Sequence, residues 1–133
     1  MGFLKKLFGR KSEVEPEAAA PPPRRSQITI PEVTVEEFKS EWQSADPPLL
    51  LDCREGFEWR QGHVPGSIHM PMNQIPARVE KFNKAQEIVV ICATGNRSYS
   101  VAGFFIQNGF KARSLQGGIT AWQWQGGEVV QDG

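Results

Sequence analysis

Cysteine is scarce in this chain of 133 residues: only Cys53 and Cys92 occur, far apart and with no CxxC or Cys/His spacing around them. That excludes a disulfide scaffold and a structural zinc site. Long apolar runs are missing too. No stretch approaches the roughly 18–20 consecutive apolar residues of a membrane span, and the N-terminus lacks the roughly 7–15-residue apolar core of a secretory signal. The expected location is therefore cytoplasmic, where thiols stay reduced. Net charge is absent as well, with 15 basic residues balanced by 15 acidic ones. The balance hides an asymmetry: residues 1–26 hold six Lys/Arg against three Glu, leaving nine basic and twelve acidic residues for the rest. A mildly acidic globular part argues against nucleic acid as partner, because phosphate contacts need clustered cations. The chain as a whole, 39% apolar and 23% charged, has the composition of an ordinary folded protein.

Three segments follow from the pattern along the chain. Residues 1–11, "MGFLKKLFGRK", place Phe3, Leu4, Leu7 and Phe8 among Lys5, Lys6, Arg10 and Lys11. This is a short basic amphipathic peptide, read either as a weak anchor at the inner membrane surface or as a tail or protein-docking peptide. Gly2 does not mark myristoylation, since Lys6 stands where Ser or Thr is expected. Residues 12–26 form a Pro/Ala-rich linker with almost nothing to bury. Residues 27–133 are the folded domain.

Within that domain strand-like and helix-like patterns alternate. Ile28 to Val33 reads as an edge strand interrupted by Pro31. Thr34 and Glu37 open a capping box for a helix burying Phe38 and Trp42. Leu49 to Cys53 and Glu87 to Ile91 are continuous apolar strands of the doubly buried kind. Short helices are expected at 55–60 and 77–82, a short strand at 68–70, and a helix from Ser98 to Asn108 stopped by Gly109. A strand at 112–115, the glycine turn at Gly117 and Gly118, and a final short helix complete the domain. Such alternation means an α/β domain with a parallel sheet covered on both faces.

Ligands of open parallel sheets bind at the carboxyl ends of strands, and Cys92 stands at such an end. Behind it come Ala93, Thr94, Gly95, Asn96, Arg97 and Ser98, a small glycine-bearing loop running into a helix. Curled backbone N–H groups and a helix start favour an anion there, so the thiol at their centre should ionise below the usual cysteine range. Cys92 is the expected nucleophile, and Arg97 a cation able to hold an anionic substrate. Cys53 lies in a buried apolar strand with no such loop and reads as a core residue. Asp52 and Arg54, at the end of the same strand, either support the loop and its rim or form a structural ion pair. His63 reads as turn packing, His69 has no partner legible in the sequence, and the four tryptophans read as core or rim packing.

Taken in order, Asp52-Cys53-Arg54-Glu55, "GHVPGSIHMP" (62–71), "VVICATGNRS" (89–98), "GF" (109–110) and "LQGGITAW" (115–122) resemble the single-domain rhodaneses over about residues 28–126. The resemblance implies a rhodanese-like three-layer α/β/α fold with a five-stranded, mostly parallel sheet. It implies sulfurtransferase chemistry of the thiosulfate:cyanide type, without cofactor or metal. A cysteine thiolate takes sulfane sulfur from a small anion such as thiosulfate, or from a persulfide donor, and passes it to a thiol or protein acceptor. The catalytic cysteine of the family falls on Cys92 and its loop arginine on Arg97, with Ala93 to Ser98 binding substrate. Phosphatases of related fold have one residue more between cysteine and arginine, making a phosphate-sized cup; the four residues here favour sulfur. Ala93 and Thr94 are neutral where many thiosulfate-active members carry cations, so a protein-bound or cysteine-derived persulfide is equally compatible as donor. Two rivals are a non-catalytic docking module localised by its N-terminal peptide, which could dispense with the cysteine and loop, and a redox pair of Cys53 with Cys92.

Overall fold

The computed structural model describes residues 29–131. The peptide of residues 1–11, the linker of 12–26 and the expected start of the first strand at Ile28 lie outside the described residues. Five strands form one sheet: β1 (Glu32–Val33), β2 (Leu49–Asp52), β3 (Ile68–His69), β4 (Ile88–Ile91) and β5 (Ala112–Leu115). Their spatial order is β1-β5-β4-β2-β3, and all four neighbouring pairs are parallel. The helices are α1 (Val35–Trp42), α2 (Gly56–Gln61), α3 (Ile75–Arg78), α4 (Asn96–Gln107) and α5 (Gly118–Trp124), with short 3-10 turns at Met72–Gln74 and Val79–Lys81.

The two-residue period of the strands sorts their side chains onto two faces. Leu51, Ile88, Val90, Cys92 and Ala112 pack with Val101, Ala102 and Phe105 of α4 and with Ile75 and Val79. Leu50, Val89, Ile91 and Leu115 pack on the opposite face with Val35 and Phe38 of α1 and with Ile119 and Trp122 of α5. The result is the three-layer α/β/α sandwich that the sequence pattern implied. All four side chains of β4 are buried, each contributing about 1.5–3 kcal/mol relative to exposure. That makes β4 the rigid rod on which the following loop is mounted.

Local chemistry sets the boundaries. The capping box at the head of α1 forms as expected: Glu37 N donates to Thr34 Oγ1 at 3.1 Å, and Thr34 N donates to Glu37 Oε1 at 3.0 Å. Three details differ from the sequence reading. The first strand is only Glu32–Val33, although the Pro31 carbonyl still accepts from Ser114 N at 3.0 Å. The helix expected at 77–82 is a four-residue helix, α3, followed by a 3-10 turn, because Pro76 sits at its start and Phe82 is already extended. Finally, α4 begins at Asn96 rather than Ser98, since Gly95 adopts a left-handed φ of 107° and lets the chain turn into helix at once.

From β2 the chain moves outward to β3, whereas from β4 it moves to β5 on the other side. The crevice between the carboxyl ends of β2 and β4 is therefore the switch point of the sheet, where such folds bind ligands.

Candidate active site

Cys92 follows directly on β4 and its sulfur is held from the loop behind it. Gly95 N donates to Cys92 Sγ at 3.1 Å and Ser98 N at 3.2 Å, with Ser98 Oγ 3.4 Å away. Burial works against ionisation of this thiol, but the Ser98 hydroxyl and the N–H groups of Ser98, Gly95 and Thr94 together outweigh it, and its pKa falls below the ordinary cysteine value. Two of the loop's N–H groups thus converge on the Cys92 sulfur itself. Cys92 is 1% exposed, while Thr94 and Asn96 are exposed and Ala93, Gly95 and Arg97 half-buried. The Cys92 sulfur lies beneath the loop rather than on an open floor.

The loop is clamped from the far side by the start of α5. Ile119 N donates to the Cys92 carbonyl at 2.8 Å and Thr120 N to the Ala93 carbonyl at 3.1 Å. Gly118, at φ 60°, lies so close that a Cβ there would come within 2.6 Å of the Ala93 carbonyl group and nearer still to the Cys92 oxygen. The glycine pair does more than turn strand into helix: it lets two backbones touch.

Arg97 does not stand as an isolated cation. Its guanidinium makes a two-pronged pair with Glu58 of α2, Nη1 to Oε1 at 2.8 Å and Nη2 to Oε2 at 2.9 Å. Glu58 Oε1 also accepts from Glu55 N at 2.9 Å. The Arg97 bond first, and then the Glu55 N–H and the nearby positive charges, hold the Glu58 carboxyl down at about 2 against the cost of its burial. The cation that the sequence assigns to substrate is therefore shared with a carboxylate. Glu58 was invisible in the sequence, where nothing distinguishes it from other helix acids.

Asp52 and Arg54 are buried together. Asp52 Oδ1 accepts from Arg54 N at 3.0 Å and Nε at 2.9 Å, Oδ2 accepts from Nη2 at 2.9 Å, and Nη2 also donates to the Gly62 carbonyl at 2.7 Å. This pair ties the end of β2 to the 54–62 turn that carries Glu58. It is a structural ion pair that holds the turn bearing α2. His69 Nε2 donates to the Arg54 carbonyl at 2.8 Å and His63 Nδ1 to the Trp59 carbonyl at 2.8 Å. Both rings stack on Trp59, His63 at a centroid distance of 3.4 Å and His69 at 4.7 Å, so the histidines hold this same turn. Cys53 is fully buried beside the site, its N–H donating to the Ile91 carbonyl at 3.1 Å. Burial, followed by the proximity of Cys92 and Asp52, pushes its thiol up to about 12. It stays a neutral core residue at any ordinary pH.

Behind the sulfur lies a residue that sequence reasoning passed over. Ser114, on β5, is fully buried and its Oγ is 2.7 Å from Ser98 Oγ. A serine inside a buried strand was the available signal, because a buried hydroxyl needs a partner.

Comparison with known proteins agrees with this geometry. The rhodanese-like domain model matches residues 34–125. A sulfurtransferase of Allochromatium vinosum is 31% identical over 102 residues, 76% of this chain and 95% of its own length. A Bacillus subtilis protein provisionally named a sulfur carrier is 36% identical over 83 residues; the match spans 62% of this chain but only 45% of that relative. Among solved structures, a rhodanese-like domain protein from Staphylococcus aureus superposes with a TM-score of 0.70 at 31% identity, covering 76% of this chain and 99% of its own. Fold, cysteine loop and relatives agree: the chain belongs to the rhodanese-like domain family, whose relatives include named sulfurtransferases.

Proposed function

We propose that the chain is a sulfurtransferase that carries sulfane sulfur as a persulfide on Cys92. The observation that carries this reading is the ring of donors on Cys92 Sγ, the N–H groups of Gly95 and Ser98 with the Ser98 hydroxyl, which favours a sulfur anion despite burial. In the first step the Cys92 thiolate attacks the outer sulfur of thiosulfate. A new S–S bond forms, the old one breaks, and sulfite leaves with the electron pair. In the second step an acceptor thiolate, or cyanide, attacks the terminal sulfur of the persulfide and the Cys92 thiolate departs. Both steps move negative charge within reach of fixed donors, which need no reorganisation as it shifts. Attack by the thiolate needs no separate base.

The donor follows from charge. Ala93 and Thr94 are neutral, and the loop's single cation is paired with Glu58. A dianion gains little from such a cup, whereas a singly charged persulfide of a small thiol or a protein asks less of it. A persulfide donor is therefore the preferred substrate and thiosulfate a slower one. The test compares sulfur transfer to cyanide, read as thiocyanate, from thiosulfate and from a small-thiol persulfide. Transfer from both that is abolished by Cys92→Ser, with the persulfide faster, is expected. Transfer undiminished in Cys92→Ser would overturn the assignment.

A further inference from the structure

The sulfur, Ser98 Oγ and Ser114 Oγ form a buried row, with 3.4 Å between the first two and 2.7 Å between the hydroxyls. Ser98 and Ser114 are both 0% exposed. Ser98 has one hydroxyl proton and three candidate acceptors: Cys92 Sγ, the Gly95 carbonyl at 3.2 Å, and Ser114 Oγ. Ser114 also has one hydroxyl proton, and among the described residues its only side-chain partner is Ser98. A buried donor left unmade costs the full desolvation of the group, so Ser114 donates to Ser98. That removes Ser114 from the acceptors open to Ser98. Of the two left, an ionised sulfur outcompetes a neutral carbonyl, because hydrogen bonds to charged acceptors are stronger.

We propose that Ser114 is a positioning residue: its hydroxyl donates to Ser98 Oγ and thereby commits the Ser98 proton to the sulfur anion of Cys92, thiolate or persulfide alike. In the protonated state the thiol donates to Ser98, whose own proton turns to the Gly95 carbonyl. On ionisation the Ser98 proton swings to sulfur, and the bond from Ser114 polarises it further. No proton leaves the row other than the thiol's own. The other titratable groups around the sulfur do not substitute for this: Arg97 is paired with Glu58, and Cys53 offers a neutral thiol. The inference rests on Cys92 being the reactive sulfur.

The test is the pH dependence of Cys92 alkylation by iodoacetamide in the full chain, followed by peptide mass spectrometry so that Cys53 is counted separately. Ser98→Ala should raise the midpoint, and Ser114→Ala should raise it by about half a pH unit, a roughly threefold loss of rate on the acid side. In the Ser98→Ala background the added Ser114→Ala should have no further effect, since no relay is left to break. Ser114→Cys, which keeps a weaker donor of similar shape, should lie between Ser114→Ala and wild type. An unchanged midpoint in Ser114→Ala, or a shift that adds in full to that of Ser98→Ala, would overturn the relay. Alkylation does not require sulfur transfer. A chain with the expected midpoints that accepts no sulfur would reject the proposed function while supporting the relay.

Discussion

Gly118→Ala is the substitution whose cost the structure defines most closely. Two contributions can be separated. Gly118 has φ 60°, the left-handed region, where a Cβ costs roughly 1–2 kcal/mol. The new Cβ would also press within 2.6 Å of the Ala93 carbonyl carbon and oxygen and closer to the Cys92 oxygen. These are backbone atoms that cannot swing aside. Relief requires α5 to move off the cysteine loop, weakening the bonds from Ile119 N to the Cys92 carbonyl and from Thr120 N to the Ala93 carbonyl, each about 1 kcal/mol. The total is about 3–4 kcal/mol. Gly126→Ala serves as control, because Gly126 has φ 83° with nothing within 4 Å of an added Cβ; it bears the conformational cost alone, roughly 1–2 kcal/mol. Thermal unfolding of both variants should show a Tm drop for Gly118→Ala at least twice that of Gly126→Ala, at about 4–8 °C per kcal/mol for a domain of this size. Only Gly118→Ala should slow Cys92 alkylation, since only it displaces the donors around sulfur. Equal Tm drops with normal Cys92 reactivity would refute the reasoning.

Three further outcomes follow from the charges. Asp52→Ala leaves Arg54 buried without its carboxylate and should cost about 3–5 kcal/mol in urea unfolding, whereas a loss under about 1 kcal/mol would mean that water reaches the site. Glu58→Gln frees Arg97 and should lower the KM for thiosulfate while changing stability by less than about 1 kcal/mol, as expected of a partly exposed pair; an unchanged or raised KM would exclude Arg97 from donor binding. The Glu58 carboxyl is depressed from 4.5 to about 2, so its contribution to stability is complete above about 4.5 and is lost as pH falls towards 2. Acid unfolding of Glu58→Gln should therefore converge on wild type towards pH 2, and parallel curves would contradict this.

The architecture was legible because it rests on period and punctuation. Apolar runs at 49–51 and 88–91 marked the central strands, Thr34 and Glu37 marked the head of α1, and Gly95 marked the turn behind Cys92. Boundaries slipped where a proline or a left-handed glycine moved a helix start, as at Pro76 and Gly95. The N–H groups on the Cys92 sulfur were readable too, since Gly95 and Ser98 lie only three and six residues behind it. What escaped were contacts between segments remote in sequence. Glu58 meets Arg97 from another helix, Ser114 meets Ser98 from another strand, and Gly118 touches the Cys92 backbone. None of the three has a local pattern that names its partner. Only parallel pairing of β4 with β2 and β5 brings them together.

The central claim is that Cys92 holds transferable sulfur. Intact-protein mass spectrometry after incubation with a small-thiol persulfide, and separately with thiosulfate, tests it most directly, with peptide mapping to place the adduct. The account predicts a gain of one sulfur atom on Cys92, absent in Cys92→Ser and removed by cyanide. A chain that gains no sulfur from either donor, or gains it on Cys53, would contradict it.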